Sequence, residues 1–282
     1  MIPAFGEIGE SLRRSTVQVR DGRRSDGSDG SGVIWNTSGL IVTNAHVARS
    51  PRMTVELWDG RTYPAQLQKR DARRDLAALS VDGRQLPAAT AGDSTRLRAG
   101  EIVIAVGNPL GFTGALSTGV VHATGPLQEL GHRNWVQAAI RLAPGNSGGP
   151  LADALGRVIG INTMVVSGGL ALAVPVNTVE QFLRAGAPVQ LGVTVQPVRL
   201  PRARQGIGLV VMEVEDGSPA DSASLRMGDV LTGANGRPFQ SPDDLLDAIE
   251  QSAGAAMSIE FVRGEPDRRR EVSVRLERKV TV

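Results

Sequence analysis

The stretch from Gly145 to Pro150, GNSGGP, is the feature of the sequence from which the fold can be argued. A serine hydroxyl becomes a useful nucleophile only when a base removes its proton and N–H donors hold the resulting oxyanion. The glycines permit a tight backbone turn, so the N–H groups of Gly145 and Ser147 can converge on one point. The same residues also fit a glycine-rich turn between two strands, and alone they leave both interpretations open.

Two further residues could supply the base and the acid that such a serine requires. His46 follows the apolar stretch Leu40–Val42, and an accessible imidazole can donate and accept protons near neutral pH. Asp75 opens the apolar stretch Leu76–Leu79, where a carboxylate could orient an imidazole from behind. Each residue also has a non-catalytic interpretation: His46 as a hydrogen-bonded loop histidine, and Asp75 as a surface residue or a cap. Together, the chain order of histidine, aspartate and Ser147 suits a two-barrel hydrolase with a catalytic triad.

Short apolar stretches separated by turn signals run from Ser15 to about Val176. The alternation in Thr16–Arg20 and in Met53–Leu57 places apolar side chains on one face, as in half-buried strands. The whole chain holds 34 glycines and 16 prolines, which end such stretches in tight turns. Because no helical period lies between the strands, this pattern favours an all-β barrel or sandwich.

The character of the sequence changes after a predicted helix that begins at Asn177, the expected N-cap. A second helix is predicted to open at Ser241, again as N-cap, with Pro242 at the first helical position. Strand-like stretches lie between these two helices. We therefore expect one domain over residues 8–184 and a smaller one over residues 189–280.

Composition excludes several function classes. The chain has no cysteine and only three scattered histidines, so we expect no disulfide, no metal site and no cofactor. A net charge of +2 gives no reason to expect nucleic-acid binding, and no apolar run is long enough to span a membrane. No export signal is visible, which predicts a cytoplasmic location, or the cell envelope if the N-terminus was trimmed.

Separated motifs along the chain carry a family resemblance. They are Gly30–Ile34, Thr43–Val47, Asp75–Ala77, Val106–Gly111, Ser117–Val121, Pro144–Leu151, Gly156–Thr163 and Ala173–Asn177. With these motifs the chain resembles the HtrA (Deg) family of trypsin-like serine proteases with one C-terminal PDZ domain. The resemblance covers about residues 10–280. It implies a mainly β fold, with a chymotrypsin-like double β-barrel followed by a small α/β PDZ domain.

The resemblance also assigns roles within the first domain. It implies that His46 is the general base, that Asp75 orients it, and that Ser147 is the nucleophile. The N–H groups of Gly145 and Ser147 would form the oxyanion hole. Leu142 aligns with an aliphatic wall of the specificity pocket, which implies cleavage after small or medium aliphatic residues.

The sequence departs from the family pattern just before this serine. Ala139 stands where the family commonly has an acidic residue, and Arg141 is unusual beside Leu142. These departures bear on the substrate residue that the pocket would accept.

In the second domain the resemblance points to a peptide-binding site. Its carboxylate-binding loop would consist of Leu191, Gly192 and Val193. An extended peptide would pair with the strand that follows, and backbone N–H groups would capture its terminal carboxylate. Leu245 and Ile249 on the neighbouring helix could line the side-chain pocket, although they fit the hydrophobic core equally well.

Two functions follow as hypotheses. In the first, the chain is a serine endopeptidase of misfolded or unfolded proteins that recognises C-terminal hydrophobic peptides through its PDZ domain. In the second, it is a catalytically silent peptide-binding chaperone or scaffold. Family members usually form trimers, so the resemblance also implies a homotrimer, to which Phe5 near the start could contribute.

Overall fold

The computed structural model describes residues 5–20, 29–109, 112–127, 133–166, 169–185, 189–199, 206–264 and 269–276. Contacts within the chain divide it into two compact units, with the boundary between Arg184 and Ala185. Over these described ranges, no helix combines the length and the apolar character needed to cross a membrane.

The first six strands of the first unit close into an antiparallel barrel. In chain order they are β1 (Thr16–Arg20), β2 (Gly30–Ile34), β3 (Leu40–Thr43), β4 (Arg52–Glu56), β5 (Thr62–Asp71) and β6 (Leu76–Val81). Their order around the barrel is β1-β2-β3-β6-β5-β4. Alternate residues such as Val17 and Val19 point inward, so the period of two in the sequence builds the barrel core.

The next six strands form a second closed barrel. They are β7 (Ile102–Gly107), β8 (Ala115–Pro126), β9 (Asn134–Ala139), β10 (Pro150–Asp153), β11 (Val158–Val165) and β12 (Ala171–Pro175). The order around this barrel is β10-β11-β12-β9-β8-β7. The two barrels confirm the predicted chymotrypsin-like double β-barrel.

An N-terminal helix, α1 (Phe5–Ser15), was not predicted from the sequence. Its buried Ile8 and Leu12 pack against Ile104 and Val106 on the outer face of β7. Val103 and Ala105 of the same strand face the barrel interior. The helix therefore explains why this strand is apolar on both faces.

The predicted capping role of Asn177 is wrong. The helix α2 (Val176–Arg184) begins one residue earlier, and the Asn177 side-chain oxygen accepts a hydrogen bond from the Ser94 N–H at 2.8 Å. Asn177 thus ties the short 3₁₀ helix Ser94–Arg96 to the start of α2. A contact 83 residues away in the chain is not visible in a local pattern.

The second unit is a sheet with two helices, which is the small α/β domain expected. Its strands are β13 (Val193–Val198), β14 (Gly208–Val214), β15 (Val230–Ala234), β16 (Arg237–Pro238), β17 (Ala256–Val262) and β18 (Arg269–Arg275). The sheet order is β13-β14-β15-β17-β18, and β16 pairs with β15. Two helices complete it, α3 (Pro219–Ser222) and α4 (Asp243–Gln251).

The predicted N-cap at Ser241 is also wrong. Helix α4 begins at Asp243, and the residue before it, Pro242, makes no capping bond through its side chain. Instead, the Asp244 carboxylate reaches back and accepts the Ser241 N–H at 2.9 Å. The Ser241 hydroxyl donates to the same carboxylate at 3.1 Å, so the Ser241 side chain accepts no helix N–H and does not act as a cap.

A buried ion pair stabilises the second unit. The Asp229 side chain is 1% exposed, and the Arg263 Nε lies 2.6 Å from its Oδ1. The same carboxylate accepts the Arg226 N–H at 2.8 Å. The Arg263 guanidinium also donates to the Ser224 carbonyl at 2.8 Å, which links the end of β17 to the segment before β15.

We expect Arg263→Met to lower the unfolding free energy of the second unit by about 3 kcal/mol, because it leaves the buried Asp229 carboxylate without its cation. Native-state amide hydrogen exchange in β14 and β15 of the full chain measures this unit separately. Arg269→Ala is the matched control, since Arg269 is exposed and lies 4.0 Å from Glu260. This variant should lower the unfolding free energy by less than about 1 kcal/mol. Equal losses in the two variants would contradict the prediction.

Candidate active site

Two of the predicted site residues lie at the ends of adjacent strands of the first barrel. His46 lies on a turn directly after β3, and Asp75 immediately precedes β6. These strands pair, with Thr43 opposite Ala77, so the turn comes to lie beside the aspartate. The Asn44 side-chain amide donates to the Asp75 carbonyl at 2.8 Å and fixes this approach.

The histidine and the aspartate are hydrogen-bonded to each other. The His46 Nδ1 lies 2.8 Å from Asp75 Oδ2 and 3.0 Å from Oδ1. The His46 backbone N–H also donates to Oδ1 at 3.0 Å. Since an ionised carboxylate only accepts, Nδ1 carries the proton and Nε2 is left as an acceptor that faces away from Asp75.

The environment of Asp75 favours its charged form. Burial raises the pKa of the carboxyl, but hydrogen bonds from His46 and from the Thr163 hydroxyl outweigh this effect. The net result is a pKa below the ordinary aspartate value. The group is therefore an anion over the whole range in which a histidine changes charge.

The third predicted residue, Ser147, lies on the loop between β9 and β10 in the second barrel. Its hydroxyl donates to the Thr163 carbonyl at 2.9 Å. The Thr163 hydroxyl in turn donates to Asp75 Oδ2, so this threonine connects the serine with the aspartate. Ser147 and His46 are both among the described residues, and no hydrogen bond joins them there.

Thr163 is the residue that sequence reasoning missed. It lies in β11 and is 3% exposed, and it uses its hydroxyl on one side and its carbonyl on the other. It closes the Gly156–Thr163 motif, but nothing in that motif's spacing indicates a contact with Asp75, 88 residues earlier.

The first barrel holds the serine loop in place. From β2, the Ser31 N–H donates to the Ser147 carbonyl at 2.8 Å, and the Ser31 hydroxyl donates to the Gly145 carbonyl at 2.7 Å. Gly148 has a φ of +86°, and a Cβ there would lie 2.1 Å from the Ser31 carbonyl oxygen. Only glycine fits this close approach, which keeps the two barrels together at the serine.

The serine loop leaves two backbone donors unused. The N–H groups of Asn146 and Gly148 bond to the carbonyls of Ala143 and Asn162, at 3.0 and 2.8 Å. The N–H groups of Gly145 and Ser147, by contrast, donate to no acceptor in the part of the chain that the structure describes. These are the two groups that the sequence predicts for an oxyanion hole.

The residues predicted near the specificity pocket lie on the approach to this loop. Leu142 is half-buried and packs against the core of the second barrel. Arg141 is exposed and lies at an open depression of about 480 Å³. The depression is also lined by Ser117, Thr118, Ala139, Ile140, Gly169 and Leu170.

In the second unit, the predicted carboxylate-binding loop precedes the edge strand β13. Leu191 is buried and its carbonyl accepts the Ala220 N–H at 2.9 Å. Gly192 has a φ of +79°, and a Cβ there would lie 2.2 Å from the Ser218 Cβ. Val193 begins β13, which pairs only with β14 among the described strands.

The predicted pocket residues of the second unit are part of its core. Leu245 and Ile249 are 3% and 5% exposed and belong to the hydrophobic cluster beneath α4. Leu246, one residue along the helix, is 40% exposed. No group of three or more acidic or histidine side chains suited to a metal occurs among the residues described.

We expect Thr163→Val to raise the pKa of Asp75, because it removes a donor to the charged carboxylate. Stability from that bond is present above the ordinary aspartate pKa of 3.8 and is lost as the pH falls through the lower folded-state value. The variant should thus lose about 1.5 kcal/mol of unfolding free energy at pH 7, and less in acid.

Denaturant unfolding across this pH range and an NMR titration of the Asp75 carboxyl measure the two effects. Thr163→Ser keeps the hydroxyl and serves as the control. A stability loss that stays constant with pH would show that the valine acts through packing and not through Asp75.

Two family models match the chain. The trypsin-like peptidase domain covers residues 30–161, which include all three predicted site residues, and the PDZ domain covers residues 210–263. Similar solved structures include the HtrA-type protease AlgW with a decapeptide, at 26% identity and a TM-score of 0.72 over 99% of this chain and 100% of that one. A serine endoprotease from Yersinia pestis matches at 25% identity and a TM-score of 0.71, over 98% of both chains.

Known relatives agree with these matches. The mitochondrial serine protease HTRA2 of Drosophila pseudoobscura pseudoobscura is 34% identical over 278 residues, covering 83% of this chain and 65% of the relative. The mitochondrial serine protease HTRA2 of Drosophila sechellia is 33% identical, and the match covers 88% of this chain and 69% of the relative. A probable periplasmic DegP-like serine endoprotease of Chlamydia trachomatis is 34% identical, and this chain spans 52% of its length. The chain belongs to the HtrA family of trypsin-like serine proteases with a PDZ domain.

Proposed function

We propose that this chain is a serine endopeptidase in which His46, Asp75 and Ser147 act as a catalytic triad. The observation that carries the proposal is the chain of hydrogen bonds from His46 through Asp75 and Thr163 to the Ser147 hydroxyl. Family membership supports the same function, and the names of the relatives supply the reaction class.

The reaction begins with a movement of the serine side chain. Because the Ser147 hydroxyl rests on the Thr163 carbonyl, it rotates about χ1 toward the free Nε2 of His46. His46 takes the hydroxyl proton as Oγ attacks the carbonyl carbon of the scissile peptide bond. The Asp75 anion stabilises the imidazolium that forms.

The next steps use the two unused backbone donors. The N–H groups of Gly145 and Ser147 hold the oxyanion of the tetrahedral intermediate. His46 then gives its proton to the leaving amine, and the acyl group remains on Ser147 Oγ. A water molecule, deprotonated by His46, hydrolyses this ester and returns the serine to its starting state.

The proposed substrates are misfolded or unfolded proteins, since an endopeptidase acts on segments that are extended and accessible. Half-buried Leu142 would form an apolar wall beside the scissile bond and favour small or medium aliphatic residues. Arg141 lies next to Leu142 and adds a cation that an apolar pocket does not need. We therefore expect the pocket to accept only substrate side chains that leave the Arg141 guanidinium in contact with water.

The second unit is proposed to bind C-terminal hydrophobic peptides. As an edge strand, β13 has one side available for an added strand, and the loop Leu191–Val193 lies where the terminal carboxylate would sit. The exposed Leu246 fits contact with a peptide side chain, whereas the buried Leu245 and Ile249 would support the pocket from beneath.

A homotrimer is proposed from the family resemblance and from apolar exposure beside α1. Phe5 is 51% exposed, and Leu116, which approaches α1 at Gly9, is 40% exposed. Exposed apolar side chains of this size are typical of surfaces that associate.

A specific observation favours a second function, a peptide-binding scaffold without catalysis. The Ser147 hydroxyl donates to Thr163 and not to His46. If this arrangement were permanent, no base would reach the serine and only the peptide-binding unit would be active.

A fluorophosphonate probe tests the serine directly. We expect the wild-type chain to be labelled and to cleave casein, and Ser147→Ala to be unlabelled with a rate about ten-thousandfold lower. Ser38→Ala, at an exposed turn, is the control and should behave like wild type. Absence of labelling in the wild type, with or without C-terminal hydrophobic peptides, would favour the scaffold.

Peptide binding by the second unit can be tested at its loop. We expect Gly192→Ala to weaken binding of a hydrophobic peptide with a free C-terminus at least about tenfold, because the new methyl group collides with Ser218. Gly254→Ala is the matched control, since Gly254 has a φ of +86° but a Cβ there would meet no other described residue within 4 Å. Fluorescence polarisation measures both variants. Equal wild-type affinity for free and amidated peptides would contradict carboxylate capture.

A further inference from the structure

Two arginines are fixed on the turn that carries His46. The Arg49 Nε donates to the His46 carbonyl at 2.6 Å. From the end of β5, the Arg70 Nε donates to the carbonyls of Ala45 and Ala48, at 3.1 and 3.2 Å. Both guanidinium groups therefore hold the carbonyl end of one turn and cannot move freely.

Neither arginine is paired with an acid. Among the described residues, the hydrogen bonds of Arg49 and Arg70 all run through Nε to backbone carbonyls, and no carboxylate lies within ion-pair distance. The nearest acid in sequence, Asp71, is engaged by the Arg74 Nη1 at 2.7 Å. Asp75 is engaged by the His46 imidazole and by Thr163.

The terminal nitrogens of both groups are thus available to a ligand. A guanidinium carries five N–H donors, and in the described part of the chain only the one on Nε is used. Its planar pair of terminal donors matches the two oxygens of a carboxylate. Arg49 and Arg70 are both exposed, as is the His46 side chain on the same turn.

We infer that Arg49 and Arg70 form an anion-binding site beside His46 that takes the side-chain carboxylate of an aspartate or glutamate close to the scissile bond. The inference rests on the proposed function, because a polypeptide held at His46 passes the same turn. The two arginines then determine specificity by favouring acidic segments. Since both groups are exposed, the gain is modest and falls with salt.

The test uses internally quenched peptides with both ends blocked, so that only a side-chain carboxylate can contribute. Paired peptides differ by Glu or Gln at one of three positions on either side of the scissile bond. At low salt we expect wild-type kcat/KM to favour Glu about threefold to tenfold at one or more positions. The preference should shrink at high salt.

Variants assign that preference to the two arginines. Arg49→Gln and Arg70→Gln should each lower the Glu-to-Gln ratio, and the double variant should bring it to about one. Arg70→Lys keeps the positive charge but loses the planar pair of terminal N–H donors, so it should retain part of the preference for Glu. Arg52→Gln, at an exposed arginine at the start of β4, should leave the ratio unchanged.

The ratio separates binding from a structural role. If the arginines only support the turn, the variants lower hydrolysis of Glu and Gln peptides equally, the ratio stays constant, and the inference is overturned. A wild-type ratio near one at every position overturns it as well.

Failure of the proposed function gives a different result. If the wild type cleaves no peptide, the endopeptidase assignment is wrong, and fluorescence polarisation with the same peptides tests the anion site alone. Tighter binding of a Glu peptide that is lost in the double variant supports the site. Equal binding of Glu and Gln peptides overturns it.

Discussion

The carboxylate of Asp75 is the group on which the arrangement of the site depends. It accepts hydrogen bonds from the Nδ1–H and the backbone N–H of His46 in its own barrel, and from the Thr163 hydroxyl in the other. A partly buried carboxylate is costly unless donors surround it, so these bonds must form together. Thr163 also accepts from Ser147, which means that one anion sets the position of both the base and the nucleophile.

The serine loop has its own constraint, which is steric. Ser31 bonds to the carbonyls of Ser147 and Gly145, and Gly148 lies too close to Ser31 for any side chain to fit. These contacts use the carbonyl groups of Gly145 and Ser147, while the N–H groups of the same two residues have no acceptor within the described ranges. The contacts of Ser31 with the serine loop therefore join the two barrels and also leave available the two backbone N–H donors that an oxyanion would require.

The sequence predicted the two-barrel β fold, because alternation and strand ends are local signals. The structure places the His46 Nδ1 2.8 Å from the Asp75 carboxylate, at the ends of two paired strands. It missed α1, because the glycines and charged side chains of this segment give a weak helical signal. The helix depends on packing against Ile104 and Val106. It misassigned Asn177 because a polar side chain at a helix start can bond to a distant backbone group as readily as to its own helix. At Ser241 the competing partner is local, since the Asp244 carboxylate accepts both the Ser241 N–H and the Ser241 hydroxyl. The bridge through Thr163 is likewise a contact between two barrels, which no local pattern reports.

The turn after β3 experiences opposite charges on its two sides. Its N–H side faces the Asp75 anion through the His46 amide, and its carbonyl side faces the guanidinium groups of Arg49 and Arg70. The anion lies beside a backbone N–H group and the cations lie beside backbone carbonyls, so both interactions are attractive and stabilise the turn. Both oxygens of the carboxylate accept hydrogen bonds in this arrangement, whereas within the described residues the guanidinium groups donate only through Nε. The charge that remains available to a ligand beside His46 is consequently positive.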